Sequence, residues 1–134
     1  MNNLIYDESL CFGELAAITS GNFPEVLNLG KKPGSKDSYP GEEFTSADRR
    51  TVDVIFDKPA GGTSLPVTVE GSKDGSTGWQ GVGSSTFSLE QMKRGPCQVA
   101  VSPNDFQYLR VRIPAVVGSF TGSAKAYLNP YAGK

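Results

Sequence analysis

The chain contains no histidine. That absence removes the usual general base at neutral pH, the Ser-His and Cys-His nucleophile pairs, and the commonest zinc ligand. Charge of one sign is also missing, since 13 basic residues face 14 acidic ones for a formal net charge of −1. On that balance neither nucleic acid nor an anionic membrane is expected as a partner. No apolar run approaches the ~20 residues of a membrane-spanning helix. The stretch Met1-Asn2-Asn3-Leu4-Ile5-Tyr6-Asp7 has no basic region and no long apolar segment, so a secretory signal is not expected there. Cysteine is scarce: Cys11 and Cys97 lie far apart in the chain. They could pair in an oxidising compartment, but the expectation is two buried free thiols. No Asn-x-Ser/Thr sequon occurs, which fits a chain that meets no glycosylating compartment.

Catalytic signatures are missing as well. There is no G-x-x-x-x-G-K-[ST], no G-x-G-x-x-G, no G-x-S-x-G and no C-x-x-C. Gly71-Ser72-Lys73-Asp74-Gly75 has the look of a phosphate loop, but it does not lead into a helix, and a hairpin tip is the reading adopted. Glu42 and Glu43 are adjacent in a loop, and Asp53 and Asp57 share one strand face. Surface solvation accounts for all four. Calcium needs a denser set of oxygens than Glu70 and Asp74 supply. No enzyme activity, cofactor or metal is expected.

What is abundant is glycine, with 16 residues, and proline, with nine. Both weaken helix interiors, so short strands separated by turns are expected. A length of 134 residues suits one domain able to bury its own core. Residues 1–12 read as an N-terminal arm, with an edge strand as the alternative, and residues 13–134 as a single domain. Glu14–Ile18 is compatible with a helical turn or a strand, and Glu25–Leu29 reads as a short strand closed by Gly30. Residues 31–47 are loop-like, either a partner contact or a solvated excursion.

Arg50–Phe56 alternates as a strand, with Val52, Val54 and Phe56 on one face. Leu65–Glu70 is expected to return antiparallel against it as a hairpin. Asp74-Gly75 signals a tight turn that delivers Trp79, the only tryptophan, and a core position is expected for its ring. Ser88-Leu89-Glu90-Gln91 has capping-box spacing, and Gly95 and Pro96 would stop a short helix. A strand through Phe87 and Leu89 is the competing reading. Gln98–Val101, Phe106–Ile113 and Ser119–Leu128 complete the set. In the second of these Leu109, Val111 and Ile113 point inward, and Tyr108, Arg110 and Arg112 outward. In the last, Tyr127 is placed outward. Six to eight strands of this kind predict an all-β antiparallel sandwich with at most one short helix.

Ala16-Ala17-Ile18-Thr19-Ser20 with Val26-Leu27-Asn28-Leu29-Gly30 is followed by Val67–Ser76. Phe87-Ser88-Leu89, Lys93-Arg94-Gly95, Val99-Ala100-Val101 and Tyr108-Leu109-Arg110-Val111 come next, and Phe120–Leu128 ends the series. In this succession of segments the chain resembles the small jelly-roll capsid cement (decoration) proteins of tailed bacteriophages. The resemblance implies a jelly-roll-like sandwich of about eight strands with an extended N-terminal arm. It also implies a protein without catalysis that binds the outer face of an assembled head, stabilising contacts between major capsid subunits. The expected partners are the major capsid protein and further copies of the chain, as a dimer or trimer. The expected location is the virion exterior, after synthesis in the host bacterial cytoplasm. Interface candidates, chosen on exposure and chemistry, are Leu4, Ile5, Tyr6, Tyr39, Arg49 and Arg50, with Tyr108, Arg110 and Arg112 as a second group. The competing function is a carbohydrate-binding sandwich, in which Trp79, Tyr108 and Tyr127 would stack on sugar rings.

Overall fold

The computed structural model describes residues 10–29, 50–102 and 106–129. Nine strands and one helix follow each other along them: β1 (Cys11–Leu15), β2 (Gly21–Asn22), β3 (Leu27–Asn28), β4 (Arg50–Ala60), β5 (Ser64–Ser72), β6 (Gln80–Ser88), α1 (Leu89–Arg94), β7 (Cys97–Val101), β8 (Tyr108–Ile113) and β9 (Thr121–Asn129). They form two antiparallel sheets, one ordered β1-β9-β4-β7 and the other β2-β8-β5-β6, with β3 also on β8. β2 and β3 pair with opposite ends of β8, at Ile113–Arg112 and at Leu109–Tyr108, as two halves of one interrupted strand. Counted so, the pairs nest: β1 with β9, β2/β3 with β8, β4 with β7, and β5 with β6. That nesting folds the chain into a sandwich of two antiparallel sheets.

The two-residue period of the apolar side chains decides which face of each sheet is inside. Leu65, Val67 and Val69 of β5 face Leu109, Val111 and Ile113 of β8 on one inner surface, and all six are fully buried. Val52 and Val54 of β4, Val99 of β7 and Ala124, Ala126 and Leu128 of β9 supply the other. These residues, with Phe12, Ile18, Phe23 and Met92, form one continuous cluster. At one side the two sheets come close together. The Ser102 amide donates to the Val82 carbonyl (2.8 Å), and a Cβ on Gly83 would run into the Ala100 carbonyl.

The helix forms as its sequence predicts. Ser88 Oγ accepts from the Gln91 amide at 3.2 Å, and Gln91 Oε1 accepts from the Ser88 amide at 2.8 Å. Phe87 belongs to β6, so the competing strand reading holds only as far as Ser88.

Several expectations are corrected. β4 and β5 are not a hairpin: β4 pairs with β7 and β9, whereas β5 pairs with β6 and β8 in the opposite sheet. A bulge between Asp57 and Ala60 shifts the β4–β9 register just before its last pair, Ala60 with Thr121, Lys58 and Gly61 take positive φ (52° and 92°), and Pro59 has no amide to donate. The chain therefore leaves one sheet for the other, and alternation alone cannot tell a hairpin from such an arch. The boundary after residue 12 falls inside β1, because Phe12 is fully buried on the edge strand. The Glu25–Leu29 strand shrinks to Leu27–Asn28.

Asp53, expected to be solvated, is fully buried. It accepts from Thr51 Oγ1 at 2.8 Å and from Asn129 Nδ2 at 3.3 Å. Tyr127, expected outside, is 5% exposed and lies opposite Asp53 in the β4–β9 register.

Candidate functional site

The outer face of the β5–β8 pair carries the most developed side-chain constellation among the described residues. It is built by register. Thr68, Glu70 and Ser72 of β5 lie opposite Arg112, Arg110 and Tyr108 of β8. The same alternation that sends Val67 and Val69 inward sends Glu70 out, and the same holds for Arg110 between Leu109 and Val111. Directly opposed residues in an antiparallel pair have Cβ atoms about 5 Å apart, so a glutamate and an arginine so placed meet without strain. Arg110 Nε donates to Glu70 Oε1 at 2.7 Å, and Arg112 Nη1 stands 3.8 Å from Glu70 Oε2. One carboxylate thus sits between two guanidinium groups.

Trp79 completes the cluster. Its ring is half-buried rather than in the core, and the Arg110 guanidinium lies over it at 4.2 Å from the ring centre. This corrects the expected core position. The space at that end of the core is taken by Phe106, whose ring would lie 2.5 Å from a Cβ on Gly71, the cross-strand partner of Gln80. Arg110 is held from two sides, by Glu70 through a charge-assisted hydrogen bond and by Trp79 through a cation–π contact.

The loop between β5 and β6 supports this face and is wider than a two-residue turn. Asp74 organises it: Oδ1 accepts from the Ser76 and Thr77 amides, each at 2.8 Å, and Oδ2 accepts from Thr77 Oγ1 at 2.8 Å. The Thr77 amide first, then the Ser76 amide and the Thr77 hydroxyl, hold this carboxyl far below the usual carboxylate range. The buried Ser72 hydroxyl donates to the Thr77 carbonyl at 2.5 Å and accepts from the Gly75 amide at 3.1 Å. Gly75 has φ 79°, and the Tyr108 ring packs over it, so close that a Cβ there would stand 2.9 Å from Cδ1. Tyr108 is thereby seated between the loop and the Glu70–Arg110 pair.

The sequence-selected residues divide accordingly. Tyr108, Arg110 and Arg112 come together on this face. Leu4, Ile5, Tyr6, Tyr39 and Arg49 lie outside the described residues, as does the loop over residues 31–47. Arg50 is 3% exposed at the start of β4, which removes it as a surface contact of the single chain. Glu70 and the true place of Trp79 were missed, because both depend on which strands pair.

A concavity of about 360 Å³ lies beside α1 and is lined by Phe87, Gln91, Arg94, Pro96, Cys97 and Gln98. Burial pushes the Cys97 thiol up to about 11, so it is protonated at neutral pH and unsuited to attack a substrate. Both cysteines are free. They sit on β1 and β7, the opposite edges of one sheet with β9 and β4 between them. Three inter-strand steps of ~4.8 Å separate them, about twice the reach of a disulfide. Among the described residues no group of three or more His, Cys, Asp or Glu side chains could hold a metal ion. No helix among them is long and apolar enough to cross a membrane.

No protein-family model matches the chain, and no protein of established function matches it either.

Proposed function

We propose that this chain is a capsid cement protein of a tailed bacteriophage. It binds the outside of the assembled head as a homo-oligomer and stabilises contacts between major capsid subunits. The carrying observation is the outer face of β5 and β8, where Arg110 is held between Glu70 and Trp79 beside Tyr108. Trp, Tyr and Arg are the side chains that contribute most at protein interfaces, and their pre-ordering lowers the entropy cost of docking. The face is a sheet surface rather than a deep cleft, which suits a flat protein lattice. The succession of strands that resembles the cement proteins supports the same reading.

The energetics of such a clamp are simple. A ligand that binds only the assembled shell stabilises it by mass action, by about 2.7 kcal/mol when present at 100 times its Kd. Contact with more than one shell subunit adds avidity of roughly 10²–10⁴. The test is to add the protein to undecorated, expanded heads of the phage that encodes it and then heat the particles. Decorated heads should melt at a higher temperature. No binding, or binding without a rise in melting temperature, would overturn the proposal.

Trp79 and Tyr108 on one face also favour carbohydrate binding as the second reading, now without Tyr127, which is buried. Sugar binding on a glycan array that is lost in Trp79→Ala would replace the cement function with this one.

A further inference from the structure

The β5–β8 face is unbalanced in its hydrogen-bonding groups. Most of its carboxylate oxygens are already engaged: Glu70 Oε1 with Arg110, and both oxygens of Asp74 with the loop amides and the Thr77 hydroxyl. Several of its donors are not. Among the described residues the one polar side-chain contact of Arg112 is the 3.8 Å approach to Glu70, beyond hydrogen-bond length, and its side chain is 46% exposed. The Trp79 indole N–H and the Tyr108 hydroxyl make no side-chain hydrogen bond with described residues. Two arginines therefore share the single carboxylate of Glu70, and among the described residues of this face most of the unengaged capacity belongs to the donors.

We infer that this face docks a carboxylate-bearing segment of the capsid subunit, with Arg112 as its principal anchor and Trp79 covering the contact. The inference rests on the cement reading and specifies its partner's chemistry. An arginine offers a planar fork that matches a carboxylate with two parallel hydrogen bonds. Arg110, with its Nε committed to Glu70 and its flat face on Trp79, positions the cluster. Arg112, two residues along β8 and so about 7 Å away, carries the open valence. A partner rich in arginine or lysine would meet like charge here, and such a contact is strongly unfavourable.

The closing experiment compares wild type, Arg112→Glu, Arg112→Gln and Arg112→Lys for binding to undecorated, expanded heads across a salt series. Emission from Trp79, the only tryptophan of the chain, gives a second readout on the isolated protein and on the decorated head. Thermal melting of each free variant checks that it is folded. The expected result is a loss of affinity of roughly 100-fold for Arg112→Glu, where carboxylates would face each other, and about tenfold for Arg112→Gln. Arg112→Lys should fall between wild type and Arg112→Gln. Wild-type binding should weaken with salt, and Trp79 emission should change on docking.

If wild type binds the heads but folded Arg112→Glu and Arg112→Gln bind as tightly, with Trp79 emission unchanged, the acidic partner is refuted while the cement function stands. Failure of wild type to bind heads refutes both. Arg112-dependent capture of an acidic polysaccharide such as alginate, with no binding to heads, also refutes both and assigns the face to an anionic glycan.

Discussion

Asp74 shows how much order one exposed side chain can impose. Its carboxylate satisfies two loop amides and a hydroxyl, and those bonds favour the charged form. The folded-state value is therefore below that of the unfolded chain. Linkage then places its stabilising contribution in full above the ordinary carboxyl value of ~3.9, and the contribution is lost as pH falls through the lower folded-state value. The Ser76 and Thr77 amide resonances should thus stay unchanged from neutral pH down to about 4 and titrate only in stronger acid. Asp74→Ala should raise the hydrogen-exchange rates of both amides at neutral pH; unchanged rates would show that the loop does not depend on this residue. Gly75 is a second such point. At φ 79° and under the Tyr108 ring, Gly75→Ala combines a left-handed side chain with a ring displacement. A loss of roughly 1–3 kcal/mol in a denaturant titration is expected, with a change in Trp79 emission if the loop shift reaches the face.

Among the elements, the sheet margins depend most on single residues. Gly83→Ala would push a methyl group into the Ala100 carbonyl where β6 and β7 approach. Backbone, unlike a flexible side chain, cannot step aside cheaply, so a destabilisation of about 1–3 kcal/mol is expected from overpacking. Gly81→Ala, in the same strand but with open space around its Cβ position and no positive φ, is the control and should be neutral or stabilise by up to about 1 kcal/mol. At the start of α1, Ser88→Ala removes a cap that accepts at 3.2 Å and should cost about 1 kcal/mol. These elements were legible in different degrees. The alternation in Phe106–Ile113 and the Ser88–Gln91 spacing are local patterns, and the sequence revealed the strand and the helix they build. The Arg50–Phe56 and Leu65–Glu70 strands were also visible, but their partners were not. A strand with one apolar face looks the same whether its neighbour is beside it or across the core.

For the whole molecule, the position of the cysteines bears on the folding environment. With Cys11 and Cys97 on opposite edges of one sheet, reducing agent should leave the melting temperature of the free protein unchanged. A drop on reduction would mean a disulfide that this arrangement of strands does not permit. The candidate face is also a property of the whole. Tyr108, Arg110 and Arg112 could be grouped from the sequence because they are neighbours on one strand. Glu70 is 40 positions from Arg110 in the chain, and Trp79 arrives from a different strand end. Only the pairing of β5 with β8 and with β6 in one sheet brings the three together.

The division between the two levels has a physical cause. Many glycines and prolines, two-residue apolar alternation and the Ser88–Gln91 spacing are properties of composition and of near neighbours, and from them an all-β sandwich with at most one short helix is expected. Which strands pair depends on contacts between residues far apart in sequence, stabilised only when the core closes and the bulges at Asp57–Ala60 and Val69–Glu70 set the register. The tertiary structure turned an expected hairpin into an arch, left Arg50, Asp53 and Tyr127 buried, and moved Trp79 from the core to the outer face beside Arg110.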